Sequence, residues 1–384
     1  MEKRTRLRYG MVGGGTGAFI GSVHRKAIAL EEMADLVAGC FSSREEKNKE
    51  TARFYGVAED RVYRDYAAMA KAEAAREDKI DFVCIVTPNA THYEVAKAFL
   101  EAGIHVACEK PLCFTIEQAE ELEQLAKGKG LFFAVTYTYT GYAMVKLAKE
   151  LVAKGEIGEI INVNAEYLQD WLIDEIGGGN QTTTKLSVWR TDPEKSGISN
   201  CVGDIGTHIE DTVSYITGLH PKKVAAVLDT YGMDLDLNAN MLVEYENGVH
   251  GVYSCSQVCA GHLNGLVVRI FGSEGAIEWV QEDPNYLKVT KKGQPVQIYH
   301  RGTGYVTGRA AELNHIPSGH PEGLTYAFAN IYHGFMNAVL KKENGEEIKE
   351  EELDFPKVED GVMGVRFIHA AVESSKNGAA WTEI

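Results

Sequence analysis

The sequence predicts an α/β protein: an N-terminal doubly wound parallel sheet, then a second domain built on a mainly antiparallel sheet. Three observations predict it. Over the first 137 residues short apolar runs alternate with helical patterns. Those runs are nearly continuous in apolar residues, as strands covered on both faces are. Beyond them the pattern changes to short strands at regular spacing with turn signals such as Glu246-Asn247-Gly248, which reads as an antiparallel sheet. At about 100–200 residues per domain, a chain of 384 residues holds two domains or three.

Leu7–Val12 is the first expected strand, and it runs straight into a glycine cluster. Asp35–Phe41, Ile80–Val86, Ile104–Cys108 and Leu131–Thr136 follow as strands two to five. Helical stretches such as Glu45–Tyr55, His92–Ala102 and Ile116–Lys129 lie between them. Met144–Lys154 then reads as a helix, and Ile160–Leu168 alternates as a half-buried strand does. The polar, glycine-rich stretch 173–200 has no periodicity, and loops of that length are usually functional or mobile. A helix is expected over Asp204–Thr217. Strands are expected at Val224–Thr230, Asn240–Tyr245, Gly251–Gln257, Leu266–Gly272 and Ala276–Val280. Helices near Glu322–Lys341 and Asp360–Lys376 close the chain. The expected division is 1–137 and 138–384, with the last helix packing back on the first domain.

Composition narrows the partners. Lys and Arg number 39 and Asp and Glu 55, a formal net charge of −16. That disfavours nucleic acid, whose affinity comes mostly from cations on phosphates, and an anionic membrane surface. No apolar run approaches the ~20 residues of a membrane span. The basic start Lys3-Arg4-Thr5-Arg6 precedes only a short apolar stretch broken by glycines, a strand and turn rather than an export signal. Seven cysteines, with Cys40, Cys84 and Cys108 inside apolar strand-like runs, read as reduced thiols of a cytoplasmic protein.

The chemistry concentrates at the ends of the expected parallel strands, where open α/β sheets bind their ligands. Gly13-x-Gly15-x-x-Ala18 after the first strand fits the dinucleotide fingerprint. Thr16, Gly17, Phe19 and Ile20 complete that turn and open the helix whose N-terminus faces the pyrophosphate. The second strand ends in Ser42-Ser43-Arg44 with no acid at its tip. An acid there binds the ribose 2′-hydroxyl of NAD, and an arginine suits the 2′-phosphate of NADP, so the cofactor expected is NAD(P), with NADP or dual use favoured. Thr87-Pro88-Asn89 with His92, and Glu109-Lys110-Pro111, end the third and fourth strands and point at the same crevice. Asp204 and His208 stand at i and i+4, one face of a helix. Histidine suits proton abstraction near neutrality.

Together these residues resemble the Gfo/Idh/MocA oxidoreductases, the group of inositol dehydrogenases and glucose–fructose oxidoreductase. The resemblance rests on Gly13-x-Gly15, on Thr87-Pro88-Asn89 with His92, on Glu109-Lys110-Pro111 and on Gly203-Asp204-Ile205-Gly206-Thr207-His208. It covers nearly the whole chain. It implies a Rossmann domain followed by an α/β domain with a large open sheet, and it implies that Lys110, Asp204 and His208 surround the nicotinamide and the substrate. By resemblance too, that sheet assembles a homodimer or homotetramer. Two departures stand out. The phosphate loop is longer before His24, and Ser196–Val202 replaces what is often a glycine run.

The resulting expectation is a dehydrogenase moving hydride between a secondary alcohol of a sugar, glycoside or cyclitol and the nicotinamide. Tyr137, Tyr139, Trp171, Trp189, Arg190 and His320 are candidate substrate contacts, since aromatic rings stack on sugar C–H faces and keep a polar handle. The alternative is a non-catalytic dinucleotide or sugar sensor of the same fold. A metal-dependent deaminase is a distant third. His208-Ile209-Glu210 has the H-x-E form, but neither P-C-x-x-C nor H-E-x-x-H is present, so no metal is expected.

Overall fold

The computed structural model describes residues 3–176 and 190–384. Two compact units emerge. The first joins residues 1–138 to 324–362, and the second joins 139–323 to 363–384.

In the first unit the strands are β1 (Leu7–Gly13), β2 (Ala34–Cys40), β3 (Phe82–Val86), β4 (His105–Cys108) and β5 (Phe133–Val135). They pair in parallel in the order β2-β1-β3-β4-β5. The order reverses beside β1, which makes the switch point where such sheets bind ligands. The helices are α1 (Phe19–Leu30), α2 (Glu45–Tyr55), α3 (Tyr66–Ala74), α4 (His92–Glu101) and α5 (Ile116–Lys129). Strand β3 is buried along its whole length, as its unbroken Phe-Val-Cys-Ile-Val run requires. Helix α5 starts at a capping box, Thr115 with Gln118, which satisfies two of the N–H groups that a helix start leaves orphaned.

Residues 324–362 belong with the first unit, not with the second as expected. The reason is the helix at Leu324–Glu343. It is a penultimate helix, and it packs on α1 in the first unit. Phe328, Tyr332, Phe335 and Met336 of its buried face join Leu7, Met11, Phe82 and Cys84 in one core. Phe335 stands edge-on to Phe82, with ring centroids 5.3 Å apart. Apolar burial of this kind stabilises by roughly 1.5–3 kcal/mol per large side chain, which fixes the helix behind the sheet.

The second unit opens with α6 (Ala143–Ala153) and β6 (Ile160–Leu168) and continues through α7 (Thr207–Thr217). Strands β7 (Pro221–Asp229), β8 (Asn238–Tyr245), β9 (His250–Ser256), β10 (Gly265–Gly272) and β11 (Gly275–Val280) follow. Next come β12 (Tyr286–Lys291) and β13 (Val296–His300). Helix α8 is the Leu324–Glu343 helix just described. Helix α9 (Val358–Lys376) and the short β14 (Thr382–Glu383) end the chain. Among the described residues the sheet has the order β13-β12-β11-β10-β6-β9-β8-β7-β14. Only β6 and β9 run parallel in it.

Helices α6 and α7 cover one face of this sheet. On the other face Val227, Leu242, Val252, Phe271 and Ile298 are exposed. Leu242 lies directly opposite Val252 in the ladder, so the apolar residues continue across strands. Arg269 crosses the same face, bonded to Asn164, Glu166 and Glu278. Among the described residues no helix is long and apolar enough to cross a membrane. The seven cysteines are free thiols.

Candidate functional site

The loop after β1 shows which glycine does what. Gly13 sits at φ 86°, and a Cβ there would stand 2.8 Å from the Val86 carbonyl oxygen. At Gly21, inside α1, a Cβ would fall 2.4 Å from Gly14 Cα. Both positions therefore exclude any side chain. The close-packing position of the fingerprint is thus Gly21 and not Ala18, which is the N-cap of α1. The lengthened loop carries the difference. The Thr16 N–H is turned inward, donating to Thr51 Oγ1 at 3.1 Å and tethering the loop to α2. No side chain caps α1, and no acid stands in its first turn. Its N–H groups and positive dipole end therefore suit an anion. Gly17 and Phe19 are exposed at this end, while Ile20 packs on the core.

At the tip of β2, Ser42 Oγ accepts from the Arg44 N–H at 3.2 Å. Ser43 and Arg44 are exposed, and no acid occupies the turn. The sequence reading missed Lys47. A Cβ at Gly15 would lie 3.2 Å from its Cε, so the lysine stem crosses the phosphate loop. The first turn of α2 places it there, and its spacing from the strand tip was the available signal.

His92, expected at the cofactor, is wholly buried. Its ring nitrogens lie 2.9 Å from the Pro111 and Thr87 carbonyl oxygens, so it ties the turn after β3 to the turn after β4. Burial lowers its pKa below the usual imidazole value. Thr87 Oγ1 is buried and has no partner among the described residues, a free polar atom in the turn that leads to Pro88 and Asn89.

Glu109 is also buried, and its carboxylate is directed inward. Oε1 accepts from His24 Nε2 at 2.7 Å and from Thr136 Oγ1 at 2.9 Å. Oε2 accepts from the Lys110 N–H at 3.2 Å. Burial pushes this carboxyl up, but the His24 bond and charge, the Lys110 charge and Thr136 hold it down at about 2. Burial pushes His24 down, but the Cys84 sulfur and Glu109 raise it to about 9. The pair is therefore an imidazolium and a carboxylate at neutral pH. Lys110 is half-buried at the end of β4. Tyr137 has no exposed surface, so it is a core residue rather than a binding face.

In the second unit, Asp204 lies in a π-helical turn, Val202–Gly206, whose register is marked by the Thr207 N–H donating to the Val202 carbonyl. Such turns recur at functional sites. The expected shared face of Asp204 and His208 presumed an α-helix throughout, which this turn replaces. Asp204 instead accepts from Gln257 Nε2 at 2.9 Å on one oxygen and pairs with Arg190 on the other. Gln257 Oε1 in turn accepts from Asn200 Nδ2 at 2.6 Å. The buried Asp236 carboxylate accepts from the N–H groups of Asn200 and Val202 and from Ser199 Oγ, each at 3.0 Å. These four polar residues were not legible, because Asp236 and Gln257 lie far along the chain from the helix they serve.

His208 is nearly buried in α7. The Tyr139 ring stands edge-on to it with centroids 4.7 Å apart. Tyr139 and Tyr167 bond through their hydroxyls. Tyr167 donates to Asn264 Oδ1 at 2.5 Å, and Gln169 Nε2 donates to the same oxygen at 2.8 Å. Trp171 Nε1 donates to Gln169 Oε1 at 2.9 Å. One hydrogen-bonded chain thus runs from Tyr139, whose ring touches His208, to Trp171. His320 is exposed, on a loop organised by the buried Arg301, whose guanidinium binds the His320 carbonyl. Trp189 lies outside the described residues. Among the described residues no group of three His, Cys, Asp or Glu is arranged to hold a metal ion.

The glycine-tight turn and the uncapped helix start are the features that a dinucleotide-binding turn requires. Residues 7–137 match the oxidoreductase family with an NAD-binding Rossmann fold. Residues 145–278 match the GFO/IDH/MocA C-terminal domain. The chain belongs to the Gfo/Idh/MocA oxidoreductases. It is 36% identical to an uncharacterised oxidoreductase of Bacillus subtilis, over 98% of this chain and 96% of that one. An inositol dehydrogenase homologue of Azotobacter vinelandii, solved with NAD+, superposes with a TM-score of 0.93 at 36% identity, covering 100% of this chain and 99% of that chain. Levoglucosan dehydrogenase, solved with NADH and levoglucosan, gives 0.85 at 26% identity over 99% of each chain.

The His24–Glu109 pair predicts how stability varies with pH. His24 is raised from an ordinary 6.5 to about 9, so its contribution is complete below 6.5 and is lost as pH rises towards 9. Glu109 is depressed from 4.5 to about 2, so its contribution is complete above 4.5 and is lost on acidification. Thermal unfolding of wild type and His24→Gln should therefore differ most between about pH 5 and 6.5 and converge towards pH 9. A difference that grows from pH 6.5 to 9 would contradict the ionised pair.

Proposed function

We propose that this oxidoreductase oxidises a secondary alcohol of a cyclitol, sugar or glycoside, or reduces the matching ketone, with Lys110 and His208 handling the proton. The observation that supports the reading is that Lys110, Asp204 and His208, the residues that the motif resemblance singles out, are each held by a built surround. Lys110 has Glu109 behind it, Asp204 has Gln257 and Arg190, and His208 has Tyr139. A sensor of dinucleotide or sugar has no use for that acid–base set.

The cofactor is NAD(P). Gly13, Gly15, Gly17, Ala18, Phe19 and Ile20 would hold its pyrophosphate end, with Thr16 shaping the loop. Thr87, Pro88 and Asn89 would line the turn beyond, and His92 and Glu109 would act through their neighbours. Bound there, the nicotinamide would supply the acceptor for the hydride that leaves the carbinol carbon. Neutral His208 takes the hydroxyl proton, and the Lys110 ammonium stabilises the developing alkoxide, an effect worth about 3–4 kcal/mol for one preorganised donor. Asp204 and Arg190 bind neighbouring hydroxyls, and Tyr139, through His208, and Trp171 shape the sugar-facing side. His320 is the outlying candidate contact. The balance is one alcohol and one oxidised cofactor to one ketone, one reduced cofactor and one proton.

Lys110→Ala should slow cofactor reduction by roughly a hundredfold or more without unfolding the chain. His208→Asn should do the same and remove the acid limb of the rate profile, which falls between roughly pH 5 and 8. Near-wild-type turnover of Lys110→Ala would remove it from the chemistry. An unchanged limb in His208→Asn would assign the titration to another group.

Ser42, Ser43, Arg44 and Lys47 at the acid-free β2 tip support binding of NADP at least as well as NAD. Fluorescence titration with the two reduced cofactors decides this, and a preference for NADH of about a hundredfold or more would sink it. The exposed apolar face of the large sheet supports association into a homodimer or homotetramer, since patches of this kind mark contact surfaces. Light scattering should report a multiple of 42.2 kDa, and a monomer at micromolar concentration would refute the assembly.

A further inference from the structure

His24 belongs to none of the steps above, yet it is a fully buried histidine at the centre of a hydrogen-bonded cluster. Its ring is fixed on every side. Nε2 meets Glu109 Oε1 at 2.7 Å, and Nδ1 meets the Tyr332 hydroxyl of α8 at 2.6 Å. The Phe328 ring lies 4.7 Å from its centroid. Cys84 Sγ of β3 lies 3.1 Å from the Tyr332 oxygen and 3.5 Å from Nδ1. The titratable groups around it are thus Glu109 and Lys110 after β4, Cys84 on β3 and Tyr332 on α8, with Tyr9 of β1 adjoining Tyr332 and Cys84.

An isolated carboxylate in the interior is strongly disfavoured and would neutralise instead. Protonated, Glu109 would carry a donor hydrogen on one oxygen and lose acceptor strength towards its three donors. With the charged ring beside it, both oxygens remain acceptors. One of them then binds the Lys110 N–H, and the other binds Thr136. Helix α1 starts at the phosphate loop, so the His24 contact joins the cofactor helix to the strand end that presents Lys110.

We propose that His24 is a positioning residue for the reaction: as an imidazolium inside the fold it keeps Glu109 a carboxylate, and Glu109 sets the backbone from which Lys110 reaches the reacting oxygen. The proposal rests on the reading of Lys110 as catalytic. It assigns no contact between His24 and substrate.

The test has two arms. In the first, nitrogen NMR of histidine-labelled protein should show one buried ring, absent from His24→Gln, that stays doubly protonated through pH 8. A neutral ring at pH 7 overturns the proposal. In the second, cofactor reduction is measured with the fastest of myo-inositol, levoglucosan, D-xylose and D-glucose. His24→Gln keeps a donor for Glu109 but no charge. It should lower kcat about tenfold or more, the scale of a misplaced catalytic group, while KM and the NADH dissociation constant move by less than about threefold. In the Lys110→Ala background the same change should alter the residual rate by less than about twofold. An equal loss in both backgrounds overturns the route through Lys110, whereas near-wild-type Lys110→Ala on its own overturns the functional reading beneath it. Reduction of neither cofactor by these four or by any further cyclitol, anhydrosugar, free sugar or glycoside removes both. Should His24→Gln fail to fold, Glu109→Gln, its neutral isostere, carries the same kinetic expectations, and an unchanged kcat there is equally fatal.

Discussion

The contact between His24 and Glu109 is the constraint on which the first unit is arranged. Three elements meet at it: the helix behind the phosphate loop, the end of β4, and α8. Each residue alone would be a buried group seeking water. Together they are neutralised, and the remaining bonds of the carboxylate are directed at Thr136 and the Lys110 backbone. Removing one member of a buried pair leaves an uncompensated charge, which typically costs about 3–5 kcal/mol. Tyr332 closes the same cluster from α8, adding a polar contact to the apolar packing that returns residues 324–362 to the first unit.

The second unit solves a similar problem with a different device. A π-helical turn has N–H groups that its own backbone does not satisfy, and Asp236 takes two N–H groups at its start. Burial raises the Asp236 carboxyl above the usual range, and its hydrogen bonds oppose that rise. From there the chain Asn200, Gln257, Asp204 carries orientation outward, one amide at a time. Amides do not titrate, so the two links between Asp236 and Asp204 carry no charge of their own. His208 is held by rings instead, Tyr139 and Tyr167.

Much of this was legible in the residues, for physical reasons. The five parallel strands announce themselves because strands covered on both faces must be apolar throughout. The α5 boundaries follow from Thr115, Gln118 and Gly130. Lys110, Asp204 and His208 were visible as motifs. Other features were hidden. Tyr286–Lys291 and Val296–His300 are strands with one or both faces exposed, and their polar residues obscure the alternation. The π-turn at Val202–Gly206 cannot be told from an α-turn by spacing, so Asp204 and His208 were assigned one face. Gly21 lies outside the Gly13-x-Gly15-x-x-Ala18 pattern, and only its close approach to Gly14 in the fold marks it. His92 and Glu109 read as cofactor contacts because a motif records that a residue is needed, not which way it faces.

The central claim is that this chain is an alcohol dehydrogenase of polyhydroxylated compounds rather than a sensor that only binds them. The most direct measurement is reduction of NAD and NADP by wild-type protein, followed optically across cyclitols, anhydrosugars, free sugars and glycosides, with Lys110→Ala as the control. The account predicts that at least one polyol reduces at least one cofactor over many turnovers and that the control is slower by roughly a hundredfold or more. Tight binding of NADH with no reduction by any polyol, or equal rates for wild type and control, would contradict it.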